Sequence, residues 1–151
     1  MTKIVVRQGV LAAIYVVCCL ILAPISFGMV QIRVAEMLMI FAFYDRRNIF
    51  GLTAGCLIAN MFSPLGVIDV IFGTVGTLLV CLTARVLPRK WMLAPVAAVI
   101  NGLVVGYELH YVFGLPFLLA ALTVAVGEFI AVLAGVIVFS MLEKKGVIQR
   151  L

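Results

Sequence analysis

The sequence predicts an all-α integral membrane protein, a six-transmembrane-helix bundle with both termini cytoplasmic. Hydrophobic residues make up 66% of the 151 residues, charged residues only 11%, and the mean hydropathy is +1.33. A soluble domain of this length is about half apolar and about a quarter charged. The polar side chains are too few to coat a water-soluble globule, so we expect a single membrane domain over residues 1–151.

The uncharged runs are long enough for bilayer-spanning helices. No charge falls between Arg7 and Arg33, a run of 25 residues, or between Arg47 and Asp69, a run of 21. A spanning helix needs roughly 20 mainly apolar residues. Apolar residues come in blocks rather than in alternation, and a spanning backbone must satisfy its own hydrogen bonds, so helices are expected rather than strands.

Six apolar segments divide the chain, at about 9–27, 30–44, 49–62, 67–87, 91–112 and 115–142. The first follows Lys3 and Arg7 and shows no small-x-small cleavage site, so it is interpreted as a retained helix rather than a cleaved signal peptide. The turn-forming stretches "SPLG", "LPRKW" and "FGLP" separate later segments.

Basic residues predict the orientation. In a six-helix topology, ten of the eleven fall on one side of the membrane, and the exception is Arg33. The ten are Lys3, Arg7, Arg46, Arg47, Arg85, Arg89, Lys90, Lys144, Lys145 and Arg150. The positive-inside rule assigns that side to the cytoplasm. The basic pI of 9.3 then reflects topology, so it does not argue for a nucleic-acid partner.

The opposite half of the predicted bundle carries acidic and amide side chains. Arg33 and Glu36 are three residues apart, a spacing that lets them share a helix face and partly neutralise each other. Ionisable residues within a span are costly, and they usually line a cavity or pair with one another. We therefore expect a substrate site open to the outside. Its candidate residues are Gln31, Arg33, Glu36, Asn60, Asp69, Asn101, Glu108 and Glu128.

Structural roles remain open for several of these residues. Arg33 could extend to the outer headgroups, and Asp69 could cap a helix. Glu108 could belong to a solvated loop. Glu128, deep within the longest segment, would be purely structural only if it were protonated or paired.

The side-chain inventory suggests the class of ligand. An excess of three acids favours a ligand with positive charge, hydrogen-bond donors or both, and amides can bind a mixed donor and acceptor edge. Nearby aromatic residues could stack on a flat ring or form an interfacial belt. They are Phe62, Phe72, Tyr107, Tyr111, Phe113 and Phe117. Together these groups suit a small nitrogenous heterocycle.

Enzyme and metal sites are not indicated. The four cysteines lie in apolar runs without metal-ligand spacing, and there is one histidine. No glycine-rich phosphate loop occurs, so another chain would hydrolyse any ATP that transport requires. We predict no catalytic residue, no metal and no cofactor. A small lipid-modifying enzyme is the alternative of a different class, and it would need a nucleophile with a base.

A pair of small residues in the first segment predicts a docking surface. Gly9 and Ala13 stand at i, i+4 near the cytoplasmic end. Small residues at that spacing let another helix approach closely. Similar pairs elsewhere, such as Gly51 with Gly55 and Gly102 with Gly106, are expected to serve internal packing.

Three stretches resemble a known family. "QIRVAEML", "GCLIANMFSPLGVIDVIFGT" and "VGEFIAVLAG" resemble the QueT-type queuosine-precursor transporters, the S components of energy-coupling-factor (ECF) transporters, over nearly the whole chain. The resemblance implies a subunit of the prokaryotic cytoplasmic membrane that binds a 7-deazaguanine base from outside. It also implies an ECF transmembrane coupling subunit and two ATPase subunits as partners. The G-x-x-x-A of Gly9 and Ala13 departs mildly from the A-x-x-x-A docking motif of S components.

Two other transport functions remain open. One is an S component for a different vitamin or nucleobase, since pocket shape does not follow from spacing. The other is a stand-alone proton-coupled transporter with Glu128 as the proton carrier. Six helices without an internal repeat argue against the second, because such folds commonly contain two related halves.

Overall fold

A computed structural model describes residues 2–26 and 33–146, and every regular element in these ranges is helical. The α-helices are α1 (Thr2–Ile21), α2 (Ala23–Ser26), α3 (Ile40–Tyr44), α4 (Asn48–Asn60), α5 (Val67–Ala84), α6 (Leu93–Phe113) and α7 (Phe117–Lys144). Two 3-10 helices, Val34–Met39 and Lys90–Met92, lead directly into α3 and α6. The all-α prediction is confirmed for the described residues.

Within residues 2–26 and 33–146, four helical stretches are long and apolar enough to cross a membrane. They are Thr2–Ile21, Val67–Ala84, Lys90–Phe113 and Phe117–Lys144. The second and third predicted spans correspond to shorter apolar helices, Val34–Tyr44 and Asn48–Asn60. Each of these is about 20 Å long, less than the roughly 30 Å of a bilayer core. Six complete spans therefore stay a prediction.

The first helix begins earlier than the sequence predicted. Helix α1 starts at Thr2, so Lys3 and Arg7 lie within it rather than ahead of it. Nothing in residues 2–8 breaks a helix, and Lys, Arg and Gln are good helix formers. Charge distribution located the apolar segment correctly, but charge alone does not end a helix.

Small residues fix the close helix crossings. A Cβ added at Gly106 of α6 would lie 2.6 Å from the Cα of Ala121 in α7. A Cβ added at Gly55 of α4 would lie 2.8 Å from the Cβ of Tyr15 in α1. These glycines serve internal packing, as expected. Gly9 differs, because nothing lies within 4 Å of its added Cβ and both it and Ala13 are exposed.

Polar contacts gather several basic segments at one end of the bundle, which we call the basic end. Arg7 in α1 lies 3.7 Å from Asp45, which follows α3. Lys90, before α6, lies 2.5 Å from Glu143 near the end of α7, and the Tyr44 hydroxyl donates to the same carboxylate at 3.2 Å. The opposite half of the bundle contains the beginning of Val34–Tyr44, the end of α4 and the beginning of α5.

Candidate functional site

A group of buried polar side chains lies away from the basic end. We call it the buried cluster, and each member is at most 3% exposed. Its members are Tyr15, Arg33, Glu36, Cys56, Asn60, Asp69, Thr77, Asn101, Glu108 and Glu128. Seven of the eight sequence-predicted site residues are among them, and Gln31 lies outside the described residues.

Arg33 joins three segments of the cluster. Its guanidinium Nη2 lies 2.6 Å from Asp69 Oδ1 in the first turn of α5. The Asn60 side chain, at the end of α4, donates to the Asp69 backbone carbonyl at 3.0 Å. Gly73, one turn beyond Asp69, makes room for these groups, since a Cβ there would lie 2.9 Å from Arg33 Nη1. The glycine therefore has a structural role in the site.

Two sequence-based interpretations of this region are wrong. Arg33 has an extended backbone (φ −90°, ψ 96°) just before the 3-10 helix, so the i, i+3 helix face predicted with Glu36 does not apply. Its ion pair with Asp69 crosses the bundle instead. Asp69 is also no N-cap, because Gly66 takes that position with φ 64°.

Glu36 is held by two hydroxyl groups. Tyr15 of α1 and Thr77 of α5 both donate to its Oε1, Thr77 at 3.3 Å. The Thr77 hydroxyl also lies 3.1 Å from the sulfur of Cys56. Sequence reasoning missed Tyr15 and Thr77. A signal was present, because a hydroxyl inside an apolar span needs a hydrogen-bond partner.

Helices α6 and α7 supply the remaining carboxylates. The Asn101 amide hydrogen-bonds Glu128, which stands near the middle of α7. Glu128 also interacts electrostatically with Glu36 and Arg33. Glu108 does so with Asp69 and Arg33, and it is fully buried rather than part of a solvated loop. The four acids and one arginine thus form one electrostatic unit.

Unsatisfied acceptors dominate the cluster. Within the described ranges, seven buried oxygens of six members receive no hydrogen bond. They are Glu36 Oε2, Asn60 Oδ1, Asp69 Oδ2, Asn101 Oδ1, Glu108 Oε1 and Oε2, and Glu128 Oε2. A buried acceptor without a donor is costly, typically about 1–3 kcal/mol. The arrangement is chemically suited to a ligand that brings several N–H donors.

The aromatic residues do not join this site as predicted. Tyr111 is 69% exposed and Phe62 is 62% exposed, and Tyr107, Phe113 and Phe117 are also exposed. These five rings are therefore not members of the buried cluster, and a stacking role for them stays a prediction. Their exposure fits the alternative of an interfacial belt, where an aromatic ring can be partly solvated.

Metal binding is not supported for the described part of the chain. It contains no group of three or more His, Cys, Asp or Glu side chains placed to hold a metal ion. The cysteines are free, and Cys56 contacts Thr77 and Asn60 as a thiol within the cluster.

Comparison with known proteins gives one consistent result. The family described as "QueT transporter" matches residues 5–144. The "Queuosine precursor transporter QueT" of Lactococcus lactis subsp. cremoris (strain MG1363) is 32% identical over 157 residues, covering 93% of this chain and 92% of that protein. No solved structure matches the chain significantly. A transporter family and four helices long enough to span agree with a multi-pass membrane protein. The chain belongs to the QueT transporter family.

Proposed function

We propose that this chain is the substrate-binding S component of an ECF importer and that it binds a queuosine precursor in the buried cluster. The observation that carries the site assignment is the set of seven unsatisfied acceptor oxygens. Support for the ligand comes from the family and from the name of the L. lactis relative.

The chemistry of a 7-deazaguanine base complements this site. Its ring N–H groups and exocyclic amine are donors, and the aminomethyl form adds an ammonium. A carboxylate accepts two parallel N–H bonds well. Glu36 and Glu128 are our candidate acceptors, since both are buried within the apolar spans and each retains an unsatisfied oxygen. Asn60 and Asn101 each offer one more acceptor.

The proposed orientation rests on the distribution of charge. The positive-inside rule places the basic end in the cytoplasm of a prokaryotic cell, so the buried cluster occupies the outer half. On this orientation all six apolar segments contribute to one membrane domain, and the two short helices run between the basic end and the buried cluster. Both termini are then cytoplasmic.

Energy comes from partner subunits in this proposal. The chain has no phosphate loop, so two ATPase subunits would drive transport through a coupling subunit. The coupling subunit would dock on the exposed Gly9 and Ala13, whose surface opens into a groove of about 790 Å³ between α1 and α4. Ala13→Trp should abolish co-purification with the coupling subunit. Val10→Trp, exposed on another face of α1, should not, and equal behaviour of the two variants would contradict the docking assignment.

Ligand binding tests the site. The purified chain should retain a deazaguanine that mass spectrometry identifies, and it should bind 7-aminomethyl-7-deazaguanine in an equilibrium assay. Glu36→Gln and Glu128→Gln should each weaken binding by about 100-fold or more, since a buried charge-assisted bond is lost. Glu143→Gln at the basic end is the matched control and should leave affinity unchanged.

The results of these experiments distinguish a wrong binding site from a wrong ligand. Unchanged affinity in both cluster variants would contradict the site while leaving the ligand in place. If instead the wild-type chain bound another vitamin or nucleobase from a panel and no deazaguanine, the substrate assignment would be wrong.

A further inference from the structure

A second groove, of about 860 Å³, lies between α4 and α5 on the surface of the helix bundle. We call it the α4–α5 groove. Its lining is apolar apart from Thr53 and two arginines. The lining residues are Arg46, Arg47, Ile49, Phe50, Thr53, Ala54, Leu57, Leu78 and Leu82. Phe50 forms a prominent wall, since its side chain is 77% exposed.

The groove is polarised along its length. Arg46 and Arg47 stand in the turn before α4, at the basic end, and Leu57 lies three turns further along that helix. From residue 49 to residue 57 the helix rises about 12 Å. One end of the groove is therefore cationic, and the rest is an apolar channel that runs along α4 away from the basic end.

The two arginine side chains have no partner within the described ranges. Three other cations at the basic end are engaged, since Arg7 pairs with Asp45, Lys90 pairs with Glu143, and Arg85 donates to the Phe43 carbonyl. Asp45 Oδ1 accepts a hydrogen bond at 2.9 Å from the backbone N–H of Arg47, not from its guanidinium group. Both guanidinium groups are exposed and available to an anion.

The neighbouring α1–α4 groove provides an internal comparison. It is similar in size, about 790 Å³, and shares Phe50 and Ala54 with the α4–α5 groove. No cation lines it among the described residues. Two apolar grooves on the same surface therefore differ in charge, and only one of them carries a cationic end.

We propose that the α4–α5 groove binds an anionic phospholipid, with its phosphate on Arg46 and Arg47 and an acyl chain along Phe50, Leu57 and Leu82. A guanidinium binds phosphate through parallel N–H bonds. Basic pockets between transmembrane helices on the cytoplasmic side are suited to anionic headgroups. The proposal requires a membrane-embedded chain, but it does not depend on the queuosine-precursor assignment.

Fluorescence quenching tests the proposal on the full chain. Trp91→Phe removes the single native tryptophan, and Phe50→Trp places a reporter in the groove. The protein is reconstituted in phosphatidylcholine vesicles containing either dibrominated phosphatidylglycerol or dibrominated phosphatidylcholine at equal content. We expect the phosphatidylglycerol to quench the reporter at least about threefold more effectively.

Charge-matched double variants locate the effect. Arg46→Gln with Arg47→Gln should abolish the lipid preference, whereas Lys144→Gln with Lys145→Gln removes the same charge outside the groove and should preserve it. Native mass spectrometry of the chain with its own tryptophan should show the same pattern in the number of retained phosphatidylglycerol molecules.

Three results would overturn the proposal. Equal quenching by both lipids would show that the groove does not select anionic headgroups. Equal loss of preference in both double variants would assign the effect to general surface charge. Protection of the reporter from both lipids would show that a second copy of this chain covers the groove.

Discussion

Two ion pairs of similar length lie in contrasting environments in this molecule. Lys90 and Glu143 are 2.5 Å apart at the basic end, with side chains 23% and 41% exposed. Arg33 and Asp69 are 2.6 Å apart in the buried cluster, with side chains 4% and 0% exposed. An exposed pair contributes about 0–1 kcal/mol, whereas breaking a buried pair costs about 3–5 kcal/mol. Similar contacts therefore have different consequences in the two regions.

The two regions also differ in how many of their carboxylate oxygens accept a hydrogen bond. At the basic end, Glu143 accepts from both Lys90 and Tyr44. In the buried cluster, Glu36 and Glu128 each leave an oxygen without a donor, and Glu108 leaves two. Stability alone does not explain an arrangement with so many buried acceptors, because a well-packed apolar core avoids their cost. The proposed ligand would explain it, because it supplies donors to these oxygens.

Removing the buried carboxylate should have the largest effect. Asp69→Asn takes the negative charge away from the Arg33 guanidinium, and we expect the free energy of unfolding to fall by about 3–5 kcal/mol. Denaturant unfolding in detergent micelles measures it. The matched variant Glu143→Gln at the basic end should cost less than about 1 kcal/mol. Equal costs would show that burial does not distinguish the two pairs.

Filling the space beside the buried pair should have the next largest effect. The Cβ of Gly73→Ala would lie 2.9 Å from Asp69 Oδ1 and from Arg33 Nη1. Displacing these groups should cost about 1–3 kcal/mol of stability and weaken ligand binding. Gly9→Ala is the control, because its Cβ meets nothing within 4 Å. Thermal unfolding and ligand affinity are measured for both variants. If Gly73→Ala changed neither the stability nor the affinity, the cluster would have to be loosely packed.

Removing single hydroxyl groups should have a smaller effect that still differs between the regions. Tyr15→Phe and Thr77→Val each delete a donor to Glu36, and each should weaken ligand binding by about 1 kcal/mol, roughly fivefold. Tyr44→Phe deletes a donor to Glu143 and should leave affinity unchanged. Isothermal titration of all three variants checks this. An effect of Tyr44→Phe as large as that of Tyr15→Phe would contradict a local role for the two donors.

Salt should produce the smallest effect. Exposed pairs are screened as ionic strength rises, and buried pairs much less. Raising the salt concentration to 1 M should therefore lower the stability of the wild type by under about 1 kcal/mol, and Lys90→Gln should reduce that change by removing one of the two exposed pairs. A change that persisted in Lys90→Gln but vanished in Asp69→Asn would place the salt-sensitive pair in the buried cluster.

Sequence reasoning identified most of the buried cluster because polar residues are conspicuous in apolar segments. Glu36, Asn60 and Glu128 each interrupt such a segment, and all three are buried in one cluster. Their burial follows from the cost of exposing a charge or an amide to lipid. The helical class was predictable for the same reason, since long apolar blocks leave few other ways to satisfy the backbone.

Other features depend on how the helices pack, which the spacing of residues along the sequence does not reveal. The partner of Arg33 was mispredicted because the backbone becomes extended at that residue, which directs the side chain across the bundle to Asp69. Thr77 was missed because a threonine hydroxyl can bond to its own helix backbone. Tyr15 was missed because the residue that its hydroxyl meets depends on how α1 packs against Val34–Tyr44. The segments at about 30–44 and 49–62 were already shorter than a full span in the sequence, and the structure confirms two short apolar helices there, Val34–Tyr44 and Asn48–Asn60.

The most direct test of the central claim is the affinity of the wild-type chain for 7-deazaguanine against 7-deazahypoxanthine, which lacks only the exocyclic amine. If unsatisfied carboxylate and amide oxygens bind the donors of the base, losing that amine should weaken binding by about 100-fold or more. Equal affinities would show that the buried acceptors do not recognise the ligand, and the site assignment would be wrong.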